Sequence, residues 1–231
     1  MQIAVIDLGI GNLRSVEQAL ITVAPDANIV ITADAKTIDA AEKIVLPGQG
    51  AIRTWFSALA ERQLEQVLQR AIKEKPLLGI CVGMQALFEH SEEDGGIDGL
   101  GVFSGSVRHF RNFHPPVPNL RVDKNMHQGE TPAFSWLKIP QMGWNQVVQM
   151  QHHPLWAGID DCAYFYFVHS YCANLNSEAN NDIILGETDF GHRFVSAVGR
   201  KNIFAVQFHP EKSNTDGLQL LSNFTQWNGQ A

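Results

Sequence analysis

The fold is decided by residues 76–90, which read PLLGICVGMQALFEH. Residues 76–80 form a short apolar run, typical of a strand buried on both faces. Residues 82–90 predict a helix that begins directly after Cys81. Between them, the segment GICVG at 79–83 has the G-x-nucleophile-x-G form of a nucleophile elbow, with cysteine in the place of serine. A strand, a sharp turn and a helix in this order are typical of an α/β fold.

The same alternation extends towards the N-terminus. Apolar runs at 3–8, 28–32 and 43–46 predict further strands, and apolar residues at helical spacing predict helices at 12–23 and 55–72. The strands are apolar throughout, as expected where helices cover both faces of a sheet. This alternation of strands and helices indicates parallel strands joined by crossover helices.

The second half of the chain has a different pattern, in which predicted strands follow one another without helices between them. Runs of β-branched and aromatic residues separated by short turns predict strands at 102–110, 163–171, 183–187, 195–200 and 203–208. They indicate antiparallel strands added to the parallel sheet, and a last helix is predicted at 215–227. The polar stretch 110–140, which contains several prolines, is predicted to be a long surface loop. The chain has no internal repeat, and its 231 residues are expected to form a single domain, 1–231.

Composition argues against several classes of function. A net charge of −7 disfavours nucleic acid as a general partner. Three cysteines without a C-x-x-C pair, and histidines without ligand spacing, predict neither a disulfide framework nor a metal site. The GIG turn at 9–11 lacks the third glycine of a dinucleotide fingerprint, because Arg14 stands there, so no cofactor is expected. No apolar stretch is long enough to span a membrane and no targeting segment is evident, which predicts a cytoplasmic protein without a membrane partner.

Cys81 is the candidate nucleophile. The elbow forces the nucleophile into a strained backbone conformation, so its neighbours must be small. The free N–H groups at a helix N-terminus stabilise a thiolate and can also hold a developing oxyanion. The alternative is that Cys81 is a small buried apolar residue, the common state of a free cysteine.

A thiolate that performs acyl transfer needs a base, and the base needs an orienting group. His209-Pro210-Glu211 follows the last predicted strand. If the chain remains extended there, the His209 and Glu211 side chains share a face, and the carboxylate can fix the tautomer of the imidazole. The alternative is a strand-end histidine beside a solvated glutamate, but the elbow favours the catalytic interpretation.

Another glycine-rich turn follows the strand at 43–46. The sequence PGQG at 47–50 offers backbone N–H groups without bulky side chains. It is either a second source of oxyanion donors or an ordinary glycine turn, and taken alone the ordinary turn is the simpler interpretation.

Two of these motifs together carry a family resemblance. The segments GICVGMQ at 79–85 and QFHPE at 207–211 resemble those of the class I, triad-type glutamine amidotransferases. Further stretches resemble the glutaminase subunits of the histidine pathway within that family: GNLRSV at 11–16, MGWN at 142–145, YFVHSY at 166–171, EKS at 211–213 and LLSNF at 220–224. The resemblance covers nearly the whole chain. It implies a flavodoxin-like α/β fold, with a mostly parallel sheet, helices on both faces and added antiparallel strands.

The resemblance also implies an activity and its residues. L-Glutamine would be hydrolysed to glutamate and ammonia, with Cys81 as nucleophile, His209 as base and acid, and Glu211 as the orienting carboxylate. The ammonia would pass to a cyclase subunit with a (β/α)8 barrel, and this heterodimer would make imidazole glycerol phosphate and an aminoimidazole carboxamide ribotide. The implied substrate-binding residues are Gly48, Gln49, Gly50, Val82, Gln85, Ser170 and Tyr171. The N–H of Val82 would be the first oxyanion donor, the region of Gly48 and Gln49 would supply the second, and Asn12 and Trp144 would lie at the partner interface.

The chain departs from the family pattern at a few places. Gln49 stands where a branched apolar residue is usual, and Gln141 stands where histidine is usual. The segment 111–138 is longer than the corresponding segment in the shortest members of the family. Three other functions stay open at this point: a glutaminase subunit of another synthase, a stand-alone cysteine hydrolase of γ-glutamyl substrates, and a module that only binds a partner.

Overall fold

Five parallel strands form the centre of the structure, a computed structural model that describes residues 1–113, 138–175 and 182–230. They are β1 (Gln2–Ile6), β2 (Asn28–Thr32), β3 (Lys43–Leu46), β4 (Leu77–Ile80) and β13 (Ile203–Val206). Their order across the sheet is β2-β1-β3-β4-β13, and each neighbouring pair is parallel. This is the flavodoxin-like order, so the predicted fold class is confirmed.

Helices pack against this parallel sheet. They are α1 (Leu13–Val23), α2 (Ala35–Ala40), α3 (Ile52–Glu61), α4 (Glu65–Glu74), α5 (Val82–Gln85) and α6 (Asn214–Gln226). The chain moves one way across the sheet from β1 to β2 and the opposite way from β3 to β4. Because such crossovers are right-handed, α1 lies on one face and the α3–α4 pair lies on the other. Helix α6 packs against α1, and α2 packs against α4.

The remaining strands extend the sheet beyond β13 and build a lobe on it. They are β5 (Phe88–Ser91), β6 (Ile97–Asp98), β7 (Phe103–His109), β8 (Gln141–Gln149), β9 (Ala163–His169), β10 (Tyr171–Asn174), β11 (Ile184–Asp189) and β12 (Arg193–Arg200). The sheet continues from β13 through β12, β10, β7, β5 and β6, while β11 links β12 to the β8–β9 hairpin. All these pairings are antiparallel except that of β5 with β7. The predicted antiparallel addition is therefore confirmed.

Several predicted boundaries are wrong. The single helix predicted at 55–72 is two helices, because Gln63 adopts a left-handed conformation with φ 55° and turns the chain between α3 and α4. The helix predicted at 82–90 ends at Gln85, and the following residues form β5, which pairs with both β6 and β7. The strand predicted at 163–171 is divided between β9 and β10, and neither α2 nor β8 was predicted. In each case contacts with distant strands or a single backbone turn outweighed the local pattern.

Three further features concern the described ranges, which are 1–113, 138–175 and 182–230. Most of the loop predicted at 110–140 lies outside them, since the description stops at 113 and resumes at 138. Among the described residues no helix combines the length and the apolar character needed to cross a membrane. Within the same ranges, no group of three or more histidine, cysteine, aspartate or glutamate residues is placed to hold a metal ion.

Candidate active site

The candidate site lies at the carboxyl edge of the parallel sheet. Three neighbouring strands, β3, β4 and β13, end there and lead into Gly48, Cys81 and His209 respectively. Parallel strands bring their carboxyl ends to the same edge, where ligands bind in open α/β sheets. Residues separated by more than 120 positions in the sequence are thereby brought to one place.

Cys81 sits on a sharp turn between β4 and α5. Its backbone adopts φ 55° and ψ −110°, a conformation that a side-chain-bearing residue rarely takes. The Cys81 N–H donates to the Val206 carbonyl at 2.8 Å, which ties the turn to β13. A Cβ atom on Gly83 would overlap the Leu46 carbonyl oxygen, and one on Gly79 would lie 2.9 Å from the Ala205 Cβ. The close packing explains why glycines stand two residues before and after Cys81.

His209 and Glu211 form a buried pair. The Nδ1 atom of His209 lies 2.8 Å from Oε1 of Glu211, and each side chain is only 1% exposed. The chain is not extended as expected, because residues Pro210–Lys212 form a 3-10 turn. The carboxylate therefore reaches the imidazole around a turn and not along the face of a strand. The Tyr166 carbonyl accepts from the His209 N–H at 2.9 Å and fixes the start of this turn.

The protonation of His209 follows from two opposing effects. Burial by itself lowers the pKa of the imidazole, because the imidazolium loses its hydration. The negative charge of the Cys81 sulfur, followed by the Glu211 carboxylate, outweighs burial and raises the pKa of His209 to about 10. The imidazolium form of His209 is therefore favoured at neutral pH. Within the described ranges no hydrogen bond of normal geometry reaches the buried Nε2 atom of His209, although the imidazole lies close enough to the Cys81 sulfur to interact with it.

A cavity of about 440 Å³ opens beside this pair, within the size range of small-molecule sites. The predicted site residues that line it are Gln49, Gly50, Cys81, Val82, Gln85, Ser170, Tyr171 and His209. Glu211 lies behind His209 and borders a smaller cavity with Gly48 and Asn12. The structure thus brings all the predicted catalytic and substrate-binding residues into one neighbourhood.

Other residues of the cavity wall were not predicted. They are Glu93, Pro140, Val168, His169 and Lys212. Glu93 accepts a hydrogen bond from the Ile52 N–H at 3.0 Å, and burial raises the pKa of its carboxyl. In the sequence Glu93 belongs to the acidic run SEEDGG at 91–96, which resembles a solvated turn. Its place in the cavity wall and its hydrogen bond from Ile52 distinguish it from its neighbours.

The turn after β3 occupies part of the expected oxyanion site. The Val82 N–H donates to the Gly48 carbonyl oxygen at 3.4 Å, a long hydrogen bond. The side-chain Oε1 of Gln49 accepts from the backbone N–H of Asn12 at 3.3 Å. Gln49 therefore ties the glycine-rich turn to the start of α1.

Gln85 presents a hydrogen-bond acceptor to the cavity. Its Nε2 atom donates to the Tyr171 carbonyl and to Oε1 of Gln207, both at 3.0 Å. Both amide hydrogens are used in this way, so within the described part of the chain the Oε1 atom of Gln85 is the group left for a ligand. Gln85 can then accept a hydrogen bond from a bound molecule but cannot donate one.

An exposed apolar surface lies on the β8–β9 hairpin. Met142 is 65% exposed, Trp144 46% and Tyr164 54%. Trp144 packs edge-to-face on Tyr166, with 5.9 Å between the ring centroids. We call these four residues the hairpin patch. Trp144, a predicted interface residue, lies in this patch, and Asn12, the other one, is exposed just before α1.

Comparison with known proteins identifies relatives over the whole chain. The family model for class I glutamine amidotransferases matches residues 4–227. The imidazole glycerol phosphate synthase subunit HisH of Dechloromonas aromatica is 49% identical over 225 residues, which cover 97% of this chain and 96% of the relative. The same subunit of Acinetobacter baylyi is 44% identical over 228 residues and 98% of each chain. A crystal structure of a glutamine amidotransferase aligns with a TM-score of 0.65 over 97% of each chain at 17% identity, which supports the fold alone.

Proposed function

Because this chain belongs to the class I glutamine amidotransferases and, within them, to the imidazole glycerol phosphate synthase HisH subunits, we propose that Cys81, His209 and Glu211 hydrolyse glutamine. The ammonia serves the synthase of histidine biosynthesis. One observation carries the proposal: Cys81 and His209 face the same cavity, and Glu211 lies 2.8 Å behind the imidazole. A cytoplasmic location fits an enzyme of amino-acid biosynthesis with free thiols and forms part of the proposal.

The first half-reaction uses the thiolate–imidazolium pair. The Cys81 sulfur attacks the side-chain amide carbon of glutamine, and the electron pair of the C=O bond moves to oxygen. The tetrahedral adduct collapses as His209 Nε2 gives its proton to the amide nitrogen, the C–N bond breaks and ammonia leaves. The products of this step are a thioester on Cys81 and a neutral imidazole, which Glu211 holds in the correct tautomer.

The second half-reaction releases glutamate. The neutral Nε2 atom of His209 accepts a proton from water as the oxygen attacks the thioester carbon. The new adduct collapses with cleavage of the C–S bond, which regenerates the thiolate and the imidazolium. Each backbone donor to the oxyanion contributes about 3–4 kcal/mol in related acyl transfers.

Two acceptors in the cavity wall suit the α-ammonium group of glutamine. Among the described residues, no hydrogen-bond donor reaches Oε1 of Gln85 or Oε1 of Glu93, while the other carboxylate oxygen of Glu93 accepts from the Ile52 N–H. An ammonium group donates hydrogen bonds and carries positive charge, so it satisfies both groups at once. We therefore assign Glu93 to recognition of the amino-acid head group.

The hairpin patch is assigned to the cyclase partner. Ammonia is protonated in bulk water and then loses its nucleophilicity, so the site must pass it directly to a second subunit. Val168 joins the two surfaces, because it lines the cavity and is paired with Met142 of the hairpin patch. Aromatic and methionine side chains with this exposure are typical of the centre of protein interfaces. The partner in the proposal is a (β/α)8-barrel cyclase that forms a heterodimer with this chain.

The turn at 47–50 supplies a gate for the reaction. In the described state the Gly48 carbonyl accepts from the Val82 N–H, so that donor is not free for an oxyanion. Rotation of the peptide between Gly48 and Gln49 would remove the carbonyl and direct a second N–H into the site. The hydrogen bond between Gln49 and Asn12 places this turn within reach of a subunit docked near α1.

The test uses the full chain, a cyclase subunit and glutamine. Formation of the imidazole product from glutamine, but only in the presence of both subunits, is the expected result. A cyclase that accepts free ammonium ions and ignores glutamine in the presence of this chain would contradict the assignment. Ammonia release without the cyclase is expected to be slow, and equal rates with and without it would contradict the gate.

A further inference from the structure

Gln207 contacts the reacting sulfur, although the mechanism above gives it no task. It lies between β13 and His209, its side chain is fully buried, and its Nε2 atom is 3.6 Å from the Cys81 Sγ. A buried amide needs partners for both its oxygen and its nitrogen. Its oxygen accepts from Gln85, so the remaining contact of the amide is with the sulfur.

The direction of these hydrogen bonds is fixed by a backbone group. The Tyr171 carbonyl can only accept, so Gln85 must present its NH2 group there. The same nitrogen then donates to Gln207, which must present its oxygen to Gln85. The Gln207 NH2 group is consequently left on the side of the sulfur. The Tyr171 carbonyl therefore sets the orientation of the Gln85 amide, and the Gln85 amide in turn sets that of Gln207.

A second side chain holds the Tyr171 carbonyl in place. The Nδ1 atom of His169 lies 2.7 Å from the same oxygen, and burial lowers the pKa of His169 to about 4. His169 is therefore neutral and uses its one N–H in this contact. The other ring nitrogen, Nε2, lies 3.0 Å from Oε1 of Gln141. Because Nε2 carries no hydrogen in this tautomer, it forms a hydrogen bond there when the Gln141 amide is turned to present its NH2 group. The Tyr171 carbonyl, at which this series of hydrogen bonds begins, is thus held in place by residues of β8 and β9.

We propose that Gln207 is a positioning residue that stabilises the Cys81 thiolate by donating a hydrogen bond to it, with its amide oriented by Gln85 and the Tyr171 carbonyl. A thiolate accepts hydrogen bonds better than a thiol does, so a donor fixed at this place favours the reactive form. The inference deepens the proposed function by adding a residue to the same site. Its test requires no glutamine, because alkylation of Cys81 reports the thiolate whatever the substrate is.

The test compares isosteric and shorter replacements of Gln207. Gln207→Glu keeps the shape but replaces the donor with an oxygen, and Gln207→Leu removes the amide. The rate of Cys81 modification by iodoacetamide is followed by mass spectrometry from pH 5 to 10, with thermal unfolding as a check of the fold. Gln149→Glu is the matched control, because its amide donates to the Ile159 and Asp160 carbonyls, away from the site.

The expected result is a shift of the alkylation midpoint to higher pH by about one unit in Gln207→Leu. The shift should be larger in Gln207→Glu, with no shift in Gln149→Glu. With glutamine and cyclase, kcat/KM at pH 7 should fall about tenfold, through kcat and not through KM. Folded Gln207 variants whose alkylation midpoint matches that of the unaltered protein would overturn the proposal. A shift accompanied by no glutaminase activity in the unaltered protein would support it and contradict the proposed substrate.

A measurement on the unaltered chain covers the case in which both variants fail to fold. The side-chain amide protons of Gln207, assigned by selective labelling, are followed by NMR against pH. They should shift with the same midpoint as alkylation, and the shift should be absent in Cys81→Ala. Amide resonances that do not respond to ionisation of the sulfur would contradict a hydrogen bond to the thiolate.

Discussion

The parallel and antiparallel halves of the sheet contribute different parts of the site. The parallel strands β3, β4 and β13 end in the glycine-rich turn, in Cys81 and in His209 with Glu211. The antiparallel addition supplies the opposite wall of the cavity, with His169, Ser170 and Tyr171, and it also carries the hairpin patch. The reacting groups thus come from the parallel half, whereas much of the recognition surface comes from the added half.

The difference has a physical basis. The carboxyl ends of parallel strands are held by hydrogen bonds on both sides and by helices on both faces, which fixes reacting atoms closely. Strands added at the edge have freedom to vary in length and exposure, so they can match a substrate and a partner. Changes in the parallel half should therefore alter the chemical step, and changes in the added half should alter KM or partner affinity.

The largest expected effect comes from removing the nucleophile. Cys81→Ala should reduce ammonia release with cyclase present by at least about 10⁴-fold, because the thioester can no longer form. Glutamine binding, measured by calorimetry, should persist. Cys162→Ala removes another free cysteine, outside the cavity lining, and should leave the rate unchanged. Residual turnover near the normal rate in Cys81→Ala would assign the chemistry to another group.

A second prediction concerns recognition of glutamine, for which Glu93 is the proposed partner of the α-ammonium group. Glu93→Gln should raise KM for glutamine about 10- to 100-fold with a smaller change in kcat, because a neutral amide loses the charge that attracts the α-ammonium. Initial rates with cyclase present measure both constants. The control is Glu89→Gln on the exposed side of β5, which should change neither. A loss confined to kcat would place Glu93 in the chemical step instead.

The hairpin patch should affect the partner and not the chemistry. Trp144→Ala should weaken cyclase binding by about 2 kcal/mol, close to 30-fold in Kd, as for a buried aromatic residue at an interface centre. Titration calorimetry with the purified cyclase measures this, and the rate of Cys81 alkylation should stay the same. Met150→Ala removes an exposed apolar side chain outside the patch and should bind the cyclase normally. Equal affinities of the two variants would move the interface elsewhere.

The last prediction concerns stability in the added half. Burial lowers the pKa of His153 to about 4, so the unfolded chain takes up a proton near pH 6.5 that the folded chain refuses. The free energy of unfolding should therefore fall as the pH drops from 6.5 to 4, by about 2–3 kcal/mol from this residue. His153→Asn should remove this part of the pH dependence, because asparagine can still accept from the Leu155 N–H but does not titrate. Denaturant unfolding at pH 7 and pH 4.5 compares it with His152→Asn, and equal pH dependence in all three proteins would contradict the assignment.

Sequence patterns were most informative where the structure is local. The elbow at 79–83 predicted its own geometry, since only small residues fit around a strained nucleophile, and the apolar runs predicted the parallel strands. Patterns failed where distant contacts decide. Residues 82–90 have helical spacing, yet Phe88–Ser91 pairs with β7 because that strand lies beside it in the fold. Glu93 lies in an ordinary acidic turn, and the sequence marks Gln207 only as the first residue of the QFHPE segment. The fold alone places these two residues beside the cavity and the sulfur.

The sequence by itself determined the class of fold and predicted Cys81 as the nucleophile, with its candidate partners, because these depend on residue type and on spacing along a few turns of chain. The tertiary structure alone decided how Glu211 reaches His209, which groups complete the cavity, and that the Gly48 carbonyl engages the Val82 N–H. These features depend on packing between segments far apart in the chain. Their distances are set by the whole sheet, which no local pattern encodes.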